Sequence, residues 1–248
     1  EAVFNYVMQH ADEIDIYSIR FDWLAQNQTL FVKHAPQIMK RIHYTMALDA
    51  PENGTTTGRI KMVFACGNED AGLYLAQNYD LSRAWEKTTK GRTLLMDVCE
   101  AGNLKSARYL IEQRDANLNA ETGYSELQFT LFGKTRPTEG KLSPIFFAAK
   151  SGNSELIRYL YSKGANINAR SNFNTTPLMH AVSAGHLEAV QTLIKLRANV
   201  NAQMTPNIDA TDLRELGAYD DIATAYRRAK SSGNTAMLTL LEKAGARP

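Results

Sequence analysis

Cysteine is nearly absent from this chain, with two residues, Cys66 and Cys99, among 248. That scarcity excludes a disulfide scaffold and a cysteine-rich zinc site. No apolar run approaches the roughly 18–20 residues that cross a bilayer as a helix, so the sequence carries no helical membrane span. Charge of one sign is missing too, since 28 Lys and Arg face 26 Asp and Glu, a formal charge of +2. So small an excess argues against a chain-wide nucleic-acid or polyanion footprint. What remains is ordinary for a folded domain: 44% hydrophobic and 22% charged residues. The length suits one large domain or two small ones.

Catalytic templates fail on their own geometry. Gly133-Lys134-Thr135 resembles the end of a phosphate loop, but the earlier glycine is lacking and position 128 is Gln. Neither a G-x-S-x-G elbow nor an H-E-x-x-H pair occurs. The five histidines are scattered, and His180 and His186 are expected to be structural. Cys66 and Cys99 are expected to be small fillers, because neighbouring packed helices lie beyond disulfide reach. Asp12, Glu13, Asp15 and Asp22 show no spacing that marks a site, and surface charge explains them. No metal and no cofactor is implied, and the chain is expected not to be an enzyme.

Self-similarity is the informative feature. The clearest stretch runs Thr176-Pro177-Leu178-Met179-His180-Ala181-Val182-Ser183-Ala184-Gly185-His186 and on to Ala198-Asn199-Val200-Asn201-Ala202. Ser143-Pro144-Ile145-Phe146-Phe147-Ala148-Ala149-Lys150-Ser151-Gly152-Asn153 precedes it by 33 residues, followed by Gly164-Ala165-Asn166-Ile167-Asn168-Ala169. A third copy begins at Thr93, and weaker ones run from about Gly58 and from near Thr224. Within the best copy, Leu178, Ala181 and Val182 share one helical face, and Leu187, Val190, Leu193 and Ile194 give a second amphipathic helix. Thr176 is a plausible cap, Pro177 suits the first helical position, and Gly185 ends the helix where a left-handed residue is needed. Such a helix pair cannot bury its faces alone, so copies must stack.

These lines resemble the ankyrin repeat, with its TPLHxAAxxGH stretch and GADVNA-like turn. The resemblance covers roughly residues 58–248, about three quarters of the chain. It implies an all-α solenoid of about five helix-pair repeats with projecting β-hairpin turns. Residues 1–57 lack the pattern and are expected to form an N-terminal helical cap, with repeats over 58–248. The intervals between the helix-ending glycines after Gly102 and after Gly185 are 17 and 15 residues longer than 33. The first insertion, near 119–142, alternates Leu127, Phe129 and Leu131 with Glu126, Gln128 and Thr130, the period of a strand in an elongated hairpin. The second, near 203–217, reads as loop with at most one helical turn.

Members of that family bind other proteins through hairpin tips and through the two variable positions before the helix-ending glycine. Carried over here, those helix positions include Glu100, Lys150 and Ser183, and the tips include Lys90, Arg92, Asn172, Phe173, Asp220 and Asp221. Phe173 is the sharpest of these, since an aromatic ring among Ser171, Asn172 and Asn174 is either a binding anchor or folded back on its neighbour. The first insertion adds Tyr124, Phe129, Phe132, Lys134 and Arg136 as a finger suited to a partner's cleft. The expected function is therefore that of a non-catalytic inhibitor or immunity protein that blocks a partner enzyme, such as an exported hydrolase. The alternative is an adaptor or secreted effector that tethers a client on the concave face. The expected partner is a protein and not a nucleic acid, and the chain is expected to be a monomer on its own. A start without Met fits a removed signal or trimming, which leaves a periplasmic or secreted location slightly ahead of a cytoplasmic one.

Overall fold

The computed structural model describes residues 69–78, 91–123, 129–131, 134–136, 139–204 and 224–247. The expected cap over 1–57, the first helix of the first repeat and most of the second insertion lie outside the described residues.

The described helices are α1 (Glu69–Asn78), α2 (Leu94–Glu100), α3 (Leu104–Gln113), α4 (Pro144–Ser151), α5 (Ser154–Ser162), α6 (Pro177–Ser183), α7 (Leu187–Lys195), α8 (Ala225–Ser231) and α9 (Thr235–Lys243). Two short strands, β1 (Phe129–Leu131) and β2 (Lys134–Arg136), stand between α3 and α4. The helices stack as two layers. First helices α2, α4, α6 and α8 pack in that order, and second helices α1, α3, α5, α7 and α9 pack behind them.

Local chemistry sets each helix start. The hydroxyls of Thr93, Thr176 and Thr224 accept the backbone N–H of Met96, Met179 and Arg227 at 3.3, 3.4 and 3.1 Å. These bonds satisfy N-terminal donors that the helix itself leaves open. Pro144 and Pro177 stand at the first helical position, where a missing N–H is harmless. Asn103, Asn153 and Asn234 cap the second helices, their Oδ1 atoms accepting from Ser106, Leu156 and Met237 at 2.9, 3.0 and 3.0 Å.

The same asparagines tie one repeat to the next. Asn153 Nδ2 donates to the Gly102 carbonyl at 2.7 Å, so the cap of one repeat also holds the turn of the previous one. In the loops after the second helices, Asn168 Oδ1 accepts from Asn199 N at 2.8 Å and Asn201 Oδ1 from Arg247 N at 2.9 Å. These bonds set the register of stacking, while the apolar faces supply most of its free energy.

The core lies between the two layers. Leu178, Ala181 and Val182 are buried as their spacing predicts, and so are Val190 and Leu193. Fully burying a side chain such as Phe146 or Leu193 contributes roughly 1.5–3 kcal/mol. Leu187 departs from the expectation. It is 36% exposed, because it is the first residue of α7 and the face it occupies has not yet turned toward the core. His186, just before it, makes no side-chain capping bond and lays its ring against Gly152 of the previous repeat.

The first insertion contains the expected hairpin. Strands β1 and β2 pair antiparallel, with Phe129 opposite Arg136, Thr130 opposite Thr135 and Leu131 opposite Lys134. The base of the insertion is closed by backbone bonds, Thr122 N to Leu142 O at 3.0 Å and Lys141 N to Thr122 O at 3.2 Å. Gln203 and Thr224 form an isolated bridge that closes the second insertion in the same way.

Candidate partner-binding face

Two positions recur along the first helices, five and two places before the helix-ending glycine. Those positions are Asp97 and Glu100 on α2, Phe147 and Lys150 on α4, His180 and Ser183 on α6, and Arg228 and Ser231 on α8. Asp97 and Phe147 among them are buried, and the charged members are largely committed to one another.

At the α2 end, Arg92 Nη2 reaches Asp97 and, at 2.5 Å, Glu100. Its guanidinium also stands 4.3 Å from the centre of the Phe147 ring, close enough for a cation–π contact. Lys150 closes the chain by an ion pair to the other Glu100 oxygen at 2.7 Å. Burial pushes the Glu100 carboxyl up, but Lys150 and Arg92 together hold it below its ordinary value. Three expected partner contacts, Arg92, Glu100 and Lys150, are thereby brought into one network that bridges the repeats on either side of the long insertion. Arg92 is held against the framework, whereas Lys150 keeps a side chain 57% exposed.

A second cluster lies where the insertion returns. Glu139 accepts from the Thr175 hydroxyl and stands 3.3 Å from His180 Nε2. Thr175 Oγ1 is 3.1 Å from the same Nε2, and 2.8 Å from Ser171 Oγ. Burial raises the Glu139 carboxyl, yet the hydrogen bond and charge of His180, helped by Thr175 and Ser171, bring it down to about 2. A serine, a histidine and an acid thus meet, but Glu139 and Thr175 both face Nε2. A nucleophile–base–orienter relay needs the two ring nitrogens to face different partners, so this geometry is not a catalytic triad. It works as a clamp. Asn172 adds to it, its N–H donating to Gly140 O at 3.1 Å and its Oδ1 accepting from Gly140 N at 2.7 Å.

Farther along, Arg228 donates from Nη1 to Ser183 Oγ at 2.8 Å, across the α6–α8 boundary. Burial lowers its guanidinium from the ordinary value, and the Glu139 charge opposes that shift. Phe173 sits half-buried in the turn Ser171–Thr175, where Asn174 takes a positive φ of 57°. Its N–H donates to Ser171 Oγ at 3.2 Å.

The backbone places Phe129, Lys134 and Arg136 on the hairpin, with Phe129 and Arg136 directly paired in register. Lys90, Tyr124, Phe132, Asp220 and Asp221 lie outside the described residues. The sequence reading missed Asp97, Glu139, Thr175 and Arg228. Glu139 carries no repeat pattern at all, whereas Asp97 and Arg228 each stand five places before the helix-ending glycine of their repeat, outside the two positions the sequence reading used. Among the described residues no three His, Cys, Asp or Glu side chains gather as a metal site, and no helix is long and apolar enough to cross a membrane. Cys99 is fully buried, and its desolvation pushes the thiol pKa up, away from reactivity.

Comparison with known families agrees with this architecture. Residues 120–204 match the family model described as ankyrin repeats (3 copies), and residues 90–123 match that of the single ankyrin repeat. Residues 90–204 are ankyrin repeats. No curated protein matches the chain. Ankyrin repeats are protein–protein interaction modules, typically without catalytic activity of their own, and the chain's all-α solenoid presents such a module.

Proposed function

We propose that this ankyrin-repeat protein is a non-catalytic inhibitor or self-protection protein, which binds a partner enzyme and blocks it with the hairpin of the long insertion. The observation that carries this reading is the way the insertion is built. A paired hairpin is mounted on a base fixed twice, by the Thr122–Leu142 backbone bond and by the Glu139 clamp on His180 and Thr175. An insertion that merely filled a gap between repeats would not need both attachments. A rigid base reduces the ordering entropy that a finger loses on entering a cleft.

The contact residues of this reading are Tyr124, Phe129, Phe132, Lys134 and Arg136 on the finger. Lys90, Arg92, Asn172, Phe173, Asp220 and Asp221 belong to the neighbouring tips, and Glu100, Lys150 and Ser183 to the first helices. An exported hydrolase is the most concrete partner class, and residues 1–57 serve as a cap over the first repeat. The test is capture of a partner with the intact chain from its native source, followed by assay of that partner's activity. Removing residues 123–137 should abolish binding and inhibition while leaving the helical spectrum and melting cooperative. Unchanged affinity after that removal would sink the finger.

An adaptor role through the first-helix face is the second reading, favoured by the polar links between neighbouring first helices, Glu100 with Lys150 and Ser183 with Arg228. It requires Lys150, Ser183 and Glu100 substitutions to matter more than the finger.

A further inference from the structure

Neighbouring second helices near the start of the solenoid are joined by charge. Lys105 of α3 pairs with Asp70 of α1 at 2.5 Å, and Lys163, just past α5, pairs with Glu112 of α3 at 2.9 Å. The α5–α7 boundary differs. A recess of about 440 Å³ opens there, lined by Glu155 and Arg158 of α5 and by Glu188, Thr192 and Lys195 of α7. That volume lies in the range of about 300–1,000 Å³ usual for ligand pockets. Arg158 Nη2 donates to Thr192 Oγ1 at 3.2 Å. Among the described residues, however, no ion pair engages Glu155, Arg158, Glu188 or Lys195, and all four side chains are exposed.

We infer that this recess takes a short extended segment of a partner polypeptide, with a basic residue between Glu155 and Glu188 and an acidic one between Arg158 and Lys195. Glu155 and Glu188 are each the second residue of their helix, so stacking sets two like charges at one level of the groove. A cation between them relieves that repulsion. Thr192, which holds Arg158, and Lys195 lie four and seven residues beyond Glu188 on α7. At 1.5 Å per residue, the cationic end therefore stands about 6–10.5 Å farther along the groove. Two residues of extended chain span about 6.6 Å and return to the same face, so a basic and an acidic residue two places apart meet both ends. The helix dipole favours early acids and late bases, but it opens no recess between two helices and puts no cation at mid-helix Arg158. A polyanion fits less well, because its charges would meet Glu155 and Glu188. The site belongs to the second-helix layer, so the inference depends on neither the finger nor the first-helix face.

Amide chemical-shift mapping on the isotope-labelled full chain tests this with a nine-residue Gly-Ser peptide carrying Lys at its fourth and Glu at its sixth position. The peptide should shift the signals of residues 152–158 and 188–195, saturate, and weaken as salt rises. E155Q/E188Q and R158Q/K195Q should each weaken binding roughly fivefold, since each removes two solvent-facing charge contacts. K105Q, at the charge-paired α1–α3 boundary, should change it less than about twofold. K195Q alone is the second cationic variant, because it keeps the Arg158–Thr192 bond, and circular dichroism verifies the folding of each. Absence of shifts in those two stretches, or an equal loss with K105Q, overturns the inference. Undiminished binding when the peptide's Lys or its Glu is replaced by Gln overturns it as well. Removing residues 123–137 should leave peptide binding intact, and loss there would also overturn it. Retained peptide binding by a chain that inhibits no enzyme leaves this inference standing and defeats the inhibitor proposal alone.

Discussion

The ring of His186 lies so close to Gly152 that a Cβ at position 152 would stand 2.6 Å from its Cγ and Nδ1. Gly152 is also left-handed, with φ of 81°. Gly185 does the same job one repeat later with φ of 78°, but a Cβ there would meet nothing within 4 Å. Gly152→Ala should therefore destabilise by about 1 kcal/mol from its backbone plus roughly 1–3 kcal/mol from the clash, and Gly185→Ala by the backbone part only. Urea denaturation of the two variants, and of both in a His186→Ala background, checks this. The difference between them should shrink when the ring is gone, and an unchanged difference would disprove the contact.

Glu139 couples the insertion to the fourth repeat in a way that pH can read. Its carboxyl is lowered from 4.5 to about 2. A depressed carboxyl contributes stability that is complete above its unfolded value and is lost as pH falls through the folded one. The contribution should therefore fade between about pH 4.5 and pH 2. With the side chain 27% exposed, solvent screening leaves on the order of 1–2 kcal/mol. Glu139→Gln should be less stable than the parent at pH 6 and converge with it near pH 2. Parallel stability curves across that range would rule out the clamp.

Much of this architecture was legible because the repeat writes its own rules at fixed positions. Thr176, Pro177 and Gly185 announce a cap, a helix start and a helix end by conformational preference alone, and all three act as expected. The alternation around Phe129 likewise foretold a strand. The site was less legible. Glu100 and Lys150 look like independent surface residues because they are 50 residues apart in the chain, and only stacking across the insertion joins them at 2.7 Å. Glu139 belongs to no repeat pattern, so its meeting with His180 follows from how the insertion returns. Leu187 misled because helical periodicity defines a face without saying which end residues the neighbour covers.

The ionic network on the first-helix face is uneven in strength, and substitution should reveal that. Asp97 has a side chain 3% exposed, and Arg92 both pairs with it and covers Phe147. Arg92→Met removes a charged partner of a buried carboxylate and should cost about 2–4 kcal/mol. Lys150→Met breaks a pair whose side chains are 57% and 34% exposed, and should cost under about 1 kcal/mol. Chemical denaturation of both variants gives the comparison. Equal costs would mean that burial of Asp97 does not decide the energetics.

The loops after the second helices contain one stored inefficiency. At the corresponding turn, Gly164 and Gly245 take φ of 98° and 84°, while Asp115 and Arg197 take 50° and 66°. A side chain bearing a Cβ is disfavoured in that region by roughly 1–2 kcal/mol, and glycine recovers it at an entropic cost of about 0.5–1 kcal/mol. Asp tolerates the conformation better than most residues, because its short side chain can hydrogen-bond locally. Arg197 has no such compensation, and its side chain is exposed. The bonds its loop needs are made by backbone and by Asn168, including Ala198 N to Leu193 O at 2.9 Å. Arg197→Gly should therefore stabilise the protein by about 0.5–1 kcal/mol, and Asp115→Gly by less. Paired thermal melts would show the order directly: the Arg197 variant highest, the Asp115 variant between it and the parent. A melting point below the parent for Arg197→Gly would mean that the long side chain packs in a way that outweighs the backbone strain.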